Sequence, residues 1–238
     1  MKKYQATTLA AILFFALSAG AEVFELKSPD GKLEAKIESG NGYMLSAKKD
    51  GEVLVENAKF ALTTPRGKLC TRNPYCLDKR FVREGSESEH YNQLEFSCLD
   101  QGYRIFVRAY NDAVAYRIEI KEHPVIETVI SEQLDVPCKI RNGSWQAPII
   151  FEMGKNKNKV VLLESATNGY PALKMVSKDG VLKTNFKSFK DPDDEFEPPY
   201  IFRLDGKARM LPWRAFAFVY GYADDAIDAI KAKLDKKN

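Results

Sequence analysis

Residues 103–120, YRIFVRAYNDAVAYRIEI, decide the fold class of this chain. In residues 103–107 and again in residues 114–120, every second residue is apolar. The pair Asn111-Asp112 lies between the two runs and is typical of a tight turn. A period of two places alternate side chains on opposite faces of a strand. The stretch therefore predicts a half-buried antiparallel hairpin.

The same pattern continues on both sides of this hairpin. Leu33–Ile37 alternates in the same way, and the turn signals Pro29-Asp30-Gly31 and Asn41-Gly42 flank that run. Ala215–Tyr220 is apolar at every position, which predicts a strand covered on both faces. Ala223–Lys237 has an apolar stripe at helical spacing, acidic residues at its start and lysines at its end. Many strands followed by one late helix predict an all-β antiparallel sandwich with a short C-terminal helix.

Composition is that of an ordinary globular protein, with 45% hydrophobic and 29% charged residues. The 36 lysines and arginines nearly balance the 33 acidic residues. A chain this close to neutral has no basic surface for a phosphate backbone, so nucleic acid is not an expected partner. We expect residues 22–238 to form one domain, because sandwiches of this length often fold as single units.

The first 21 residues have the pattern of an export signal. Lys2 and Lys3 precede the short apolar run Leu9–Leu17, and Ala19-Gly20-Ala21 supplies small residues for cleavage. The run is too short for a permanent transmembrane helix, so no membrane span is expected in the mature protein. We expect a soluble chain in the periplasm or secreted medium.

The chain has four cysteines, an even number that suits an oxidising compartment, at positions Cys70, Cys76, Cys98 and Cys138. Their pairing is open, because four cysteines allow three connectivities. Cys70 and Cys76 bracket a turn signal, which favours a local bridge. For Cys98, a buried free thiol and a bridge to Cys138 are equally compatible with the sequence.

Five separated segments together resemble the N-terminal domain of glycoside hydrolase family 97, a family of bacterial α-glucosidases and α-galactosidases. They follow one another in the family's order, which makes the combination more specific than any single motif. The segments are Ser28-Pro29-Asp30-Gly31-Lys32-Leu33, His90-Tyr91-Asn92-Gln93-Leu94, Tyr110–Glu119 (YNDAVAYRIE), Leu163-Glu164-Ser165-Ala166 with Tyr170-Pro171, and Pro212-Trp213-Arg214.

The resemblance implies a super-β-sandwich like that of galactose mutarotase. In the family this domain precedes a catalytic (β/α)₈ barrel, which holds the catalytic carboxylates and most ligands of a calcium ion. The sandwich lends one glutamate to that calcium site, and Glu164 is the matching position here. Only 24 residues follow Arg214, whereas a barrel needs about 250 residues. The given sequence therefore predicts a domain without the catalytic barrel and without hydrolase activity of its own.

Three residues are candidates for ligand binding. Glu164 is either a calcium or sugar-hydroxyl ligand, or a strand-end carboxylate paired with a lysine. His90 is either a general acid or a structural hydrogen-bonding group at a strand start. Trp145 follows a turn signal, so we expect an accessible ring that could stack on a sugar. We assign Trp213 to the core, and we expect Arg214 to have a structural role, either pairing with a buried carboxylate or capping carbonyl groups.

Three functions remain open. The first is an exported, non-catalytic carbohydrate-binding or accessory domain. The second is an interaction module that docks on a separate glycoside hydrolase barrel and completes its site with Glu164. The third is a sugar mutarotase, for which His90 and Glu164 are the candidate acid and base.

Overall fold

The computed structural model describes residues 22–40, 42–69, 80–84, 91–98, 102–122, 127–190, 192, 198–204, 207–219 and 223–235. The antiparallel hairpin at 103–120 is confirmed, but the prediction that it is half-buried is wrong, because a second apolar cluster also covers the outer face near its turn. Strand β8 (Tyr103–Tyr110) pairs with β9 (Ala113–Ile120) in antiparallel register, with Tyr103 opposite Ile120. Alternate residues of both strands face the interior between two sheets, as the period of two predicts.

The described strands form two large antiparallel sheets and one short ribbon, and the all-β sandwich prediction is confirmed. The first sheet has the order β1-β2-β3-β4-β11-β16-β15-β12, with β5 on β4; the second has the order β13-β14-β19-β9-β8-β7-β6, with β18 on β9. The remaining ribbon pairs β10 with β17. The bounds are β1 Val23–Lys27, β2 Leu33–Gly40, β3 Gly42–Lys49, β4 Glu52–Thr64, β5 Gly67–Leu69, β6 Arg80–Glu84, β7 Tyr91–Cys98, β10 Thr128–Val129, β11 Ser131–Pro137, β12 Gly143–Gln146, β13 Ile149–Met153, β14 Asn158–Glu164, β15 Lys174–Lys178, β16 Val181–Thr184, β17 Phe202–Arg203, β18 Arg209–Met210 and β19 Arg214–Phe218.

The main hydrophobic core lies between the two large sheets. Aromatic rings from facing sheets stack there: the ring centroids of Phe24 and Phe96 are 5.0 Å apart, and those of Phe60 and Tyr116 are 4.0 Å apart. Each fully buried side chain of this size stabilises the fold by roughly 1.5–3 kcal/mol. The core therefore joins the two sheets into one sandwich.

A second apolar cluster lies on the outer face of the second sheet, under the helix α1 (Ala223–Asp235). Ile227, Ile230 and Leu234 of α1 pack toward β14 and β19 in this cluster. Strand β19 is buried at every position, which confirms the prediction for residues 215–218 of the apolar run. Val219 is half-buried beyond the strand, and Tyr220 lies outside the described residues. Lys233 in the last helical turn donates to Asp112 at 2.7 Å, so an ion pair ties the helix to the β8–β9 turn. Among the described helical residues, no segment is long and apolar enough to cross a membrane.

One glycine in the first sheet is required by its backbone conformation. Gly42 begins β3 with φ of 97°, a left-handed value that other residues rarely adopt. A Cβ atom at this position would also lie 3.2 Å from the carbonyl oxygen of Phe60. The predicted turn signal therefore reflects a tight connection between β2 and β3.

Candidate functional site

A buried arginine joins two carboxylates from the two sheets. Arg214 donates through Nε to Glu132 Oε1 at 2.9 Å and through Nη2 to Glu132 Oε2 at 2.8 Å. Its Nη1 donates to Glu164 Oε2 at 2.7 Å. The side chains of Arg214, Glu132 and Glu164 are 1%, 6% and 13% exposed. We call these three residues the Arg214 cluster; the expected pairing of Arg214 with a buried carboxylate is confirmed.

Strand register explains why these three side chains meet. Glu164 and Arg214 are direct cross-strand partners on β14 and β19 of the second sheet, whereas Glu132 projects from β11 of the first sheet. Burial by itself lowers the pKa of Arg214, but the charge and hydrogen bonds of Glu132 raise it above its usual range. The guanidinium is therefore a permanent positive charge inside the sandwich.

Glu164 also fixes the segment that follows its own strand. Both carboxylate oxygens accept the backbone N–H of Leu173, at 3.0 and 2.9 Å. At the start of this segment, Ser165 Oγ accepts the N–H of Trp213 at 2.9 Å, and Asp235 of α1 accepts the N–H of Ala166 at 2.6 Å. Residues 165–173 are thus held at both ends; we call them the 165–173 segment.

The 165–173 segment forms one wall of a surface groove of about 550 Å³. We call it the aromatic groove, because four aromatic side chains contribute to its lining. Its described lining residues are Gly169, Pro171, Ala172, Lys174, Phe186, Lys187, Phe189, Tyr200, Ile201, Phe202 and Arg203. Phe189 is an exposed large hydrophobic residue of the lining, with 50% of the residue exposed.

Two chain segments meet in the groove through a short backbone bridge. Phe189 and Tyr200 exchange hydrogen bonds, with N–O distances of 2.7 and 2.8 Å. Below them, the buried Tyr170 ring lies 5.1 Å from Phe202 and 6.3 Å from Phe186, between ring centroids. Burial raises the pKa of Tyr170 well above its usual value, and the negative charge of Glu132 adds to this effect. Tyr170 therefore stays neutral and links the groove to the Arg214 cluster.

Cationic side chains lie beside the aromatic rings. The ammonium of Lys187 is 5.7 Å from the centroid of Phe189, and the guanidinium carbon of Arg203 is 5.1 Å from that of Tyr200. Arg203 also donates to the Tyr200 hydroxyl at 3.3 Å. The described lining contains no carboxylate. The groove thus combines apolar ring faces with hydrogen-bond donors at its margin, which suits a small polar ligand with one apolar face.

The Glu164 site does not fit a calcium ion. Calcium takes six to eight oxygen ligands, and both oxygens of Glu164 already accept hydrogen bonds from Leu173 and Arg214. The positive charge of Arg214, 2.7 Å away, opposes a second cation. Among the described residues, no group of three or more His, Cys, Asp or Glu side chains could hold a metal. The partner of Glu164 is an arginine, not the lysine expected as the alternative.

Trp145 lies in β12, at an edge of the first sheet. Its side chain is half-buried and packs against the main core, opposite Met175 on β15. The guanidinium carbon of Arg141 lies 5.3 Å from the Trp145 ring centroid. Trp145 does not line the aromatic groove. Trp213 is 2% exposed and belongs to the cluster under α1, as predicted.

The structure describes only some of the other residues predicted to bind a ligand or to form disulfides. His90, Cys70 and Cys76 lie outside the described residues, as does the side chain of Cys98. Cys138 is buried and has a free thiol. The aromatic groove was not predicted from the sequence. The feature that could have indicated it is the placement of four aromatic residues on both sides of the acidic, proline-containing stretch 191–199.

The fold is an all-β sandwich of two large antiparallel sheets that carries the aromatic groove on its surface. Residues 26–136 match the family model described as "Glycosyl-hydrolase 97 N-terminal". The chain is therefore related to the N-terminal domain of glycoside hydrolase family 97, and the resemblance inferred from its motifs is confirmed. Glu132 lies within the matched residues, whereas Glu164, Arg214 and the aromatic groove lie beyond them.

Solved structures show the same fold at low sequence identity. A family 97 glycoside hydrolase from Pseudoalteromonas sp. strain K8, in complex with acarbose, has a TM-score of 0.59 and 12% identity over 82% of this chain and 35% of its own. A β-arabinopyranosidase has a TM-score of 0.59 and 15% identity over 82% of this chain and 40% of its own. The chain thus spans little more than a third of the length of these enzymes. The search of curated proteins found no match.

Proposed function

We propose that this chain is an exported, non-catalytic carbohydrate-binding module that holds sugar rings in the aromatic groove. The observation that supports this proposal is the grouping of Phe186, Phe189, Tyr200 and Phe202 around one concavity of about 550 Å³. A pyranose ring has an apolar C–H face and a rim of hydroxyls. Aromatic rings suit the first, and the cationic donors at the groove margin suit the second.

The relatives are consistent with a sugar ligand. The enzyme from Pseudoalteromonas sp. strain K8 was solved in complex with acarbose and, as an E480Q variant, with panose. Both compounds are oligosaccharides. By resemblance to that family, we propose an α-linked oligosaccharide as the ligand class. The lysines and apolar run at the start of the chain support the proposal of export to the periplasm or secretion.

A binding role fits the groove better than hydrolysis does. Glycoside hydrolysis requires two carboxyl groups on either side of the scissile bond. The described groove lining offers none, and Glu164 is engaged by Arg214 and Leu173. The described lining therefore has the means to hold a sugar, and none of its residues is a carboxylic acid that could protonate a leaving group.

Calorimetric titration of the purified chain with maltooligosaccharides and galactosides tests the proposal. We expect saturable binding that weakens at least tenfold in Phe189→Ala, because half of this ring is exposed to a ligand. Tenfold corresponds to about 1.4 kcal/mol. The matched control is Met210→Ala, which shortens another apolar residue of similar exposure, 46%, outside the groove lining.

The wild-type titration and the comparison of these variants decide the outcome. Absence of binding across the glycan panel would refute the proposal. Equal affinities for the two variants would show that the sugar binds elsewhere on the sandwich.

The position of the groove favours one alternative function, docking on a separate glycoside hydrolase barrel. The 165–173 segment follows Glu164, which the family resemblance places at the side facing the barrel. An exposed Phe189 in that position also suits a protein contact. Analytical ultracentrifugation with a purified family 97 barrel distinguishes the two functions. Complex formation that Phe189→Ala weakens, without glycan binding, would support docking.

A further inference from the structure

The carboxylate of Glu164 connects three parts of the molecule that are distant in sequence. It closes the end of β14, accepts the N–H of Leu173 at the end of the 165–173 segment, and accepts a hydrogen bond from Arg214 of β19. Only 13% of the side chain is exposed. A partly buried carboxylate with this many donors is fixed in one orientation.

The part of the segment held by Glu164 is the part that lines the aromatic groove. Gly169, Pro171 and Ala172 contribute to the lining, and Leu173 follows directly. Asn168 and Gly169 both have positive φ values, 49° and 89°, so the chain reverses sharply just before this wall. The Leu173 N–H bond therefore fixes the wall at its far end.

We infer that Glu164 is a positioning residue, which uses its carboxylate to hold the wall of the aromatic groove in place and does not serve as a calcium ligand. The expected change in glycan affinity rests on the proposed function. The expected changes in hydrogen exchange at Leu173 and in calcium binding do not depend on it.

Charge and geometry support this assignment. The single guanidinium of Arg214 faces two carboxylates, and Glu132 accepts two of its hydrogen bonds. Glu164 receives the remaining one, together with the Leu173 N–H. Binding of calcium to Glu164 would compete with Arg214 and the Leu173 N–H for the lone pairs of its carboxylate, and would loosen the bonds that hold the segment. The fixed hydrogen bonds thus favour the structural role.

The test compares Glu164→Ala with Glu164→Gln. The alanine variant removes the acceptor for Leu173, whereas glutamine keeps one oxygen for it. We expect amide hydrogen exchange at Leu173 to accelerate at least tenfold in Glu164→Ala, beyond any change at core amides, and to recover largely in Glu164→Gln. Glycan affinity should follow the same order. The control is Asp112→Ala, which removes a carboxylate bonded to Lys233 and not part of the groove lining.

A calcium titration of the wild-type chain completes the test. We expect no saturable heat up to 10 mM calcium. Calcium binding that disappears in Glu164→Gln would overturn the inference, as would unchanged Leu173 exchange in a folded Glu164→Ala protein. If Glu164→Ala does not fold, Glu164→Asp decides: it draws the carboxylate back by one methylene, so faster Leu173 exchange supports the inference and unchanged exchange refutes it. Failure of the wild-type chain to bind any glycan would refute the proposed function. The hydrogen-exchange and calcium measurements would still test the role of Glu164.

Discussion

Replacing Arg214 with methionine should produce the largest loss of stability of any single change considered for this chain. Methionine fills a similar volume but leaves Glu132 and Glu164, 6% and 13% exposed, without their shared counter-ion. Breaking a buried ion pair by removing one partner costs about 3–5 kcal/mol, because a charge stays buried without compensation. With a urea dependence of about 2 kcal/mol per molar, a loss of about 4 kcal/mol lowers the unfolding midpoint by roughly 2 M.

Urea unfolding followed by circular dichroism measures this loss, and two further variants make the result interpretable. Arg104→Met is the control, because Arg104 pairs with a single carboxylate, Glu119, at 3.3 Å, and 31% and 16% of the two side chains are exposed. Its loss should cost less than that of Arg214, because the Arg104 side chain keeps partial contact with water. The triple variant Glu132→Gln, Glu164→Gln, Arg214→Met removes every charge of the cluster and should recover part of the stability. An Arg214→Met protein as stable as Arg104→Met would refute the reasoning.

Two further predictions concern the thiol and the helix. Burial raises the pKa of Cys138 to about 11. Because the thiolate is the reactive form, we expect iodoacetamide at pH 8 to label this residue at least tenfold more slowly in the native protein than in urea. Peptide mass spectrometry measures the two labelling rates. Equal rates would contradict the burial of the thiol. Lys233→Ala should lower the free energy of unfolding by less than about 1 kcal/mol, because its bridge to Asp112 is partly exposed. The difference should shrink in 1 M NaCl, and an unchanged difference would show that the bridge contributes through packing.

The sequence predicted those parts of the fold in which neighbouring residues determine the structure. The alternation in residues 103–120 defined the hairpin, because alternate residues of both strands face the main core. The helical stripe after residue 223 defined α1, which the structure describes from Ala223 to Asp235. Arg214 was recognised as a structural residue because it follows a tryptophan in a strand apolar at almost every position. In each case the decisive information lies within about 20 residues.

The aromatic groove could not be predicted in this way. Phe186 and Phe189 precede the 191–199 stretch, Tyr200 and Phe202 follow it, and the Pro171 wall comes from a different connection. An isolated aromatic residue in a sandwich is as compatible with the core as with a surface site. Only the backbone bridge between Phe189 and Tyr200, together with Tyr170 beneath, shows that these rings share one concavity.

The Arg214 cluster also has a consequence for the kinetics of folding. Arg214 is 82 residues from Glu132 and 50 residues from Glu164, so its hydrogen bonds close long loops. Contacts of this kind form after local hairpins such as β8–β9, because loop closure costs entropy before any contact offsets it. An interaction that forms late stabilises the native state more than the transition state, and therefore slows unfolding without speeding folding. The cluster thus determines how long the folded chain persists, not how quickly it forms.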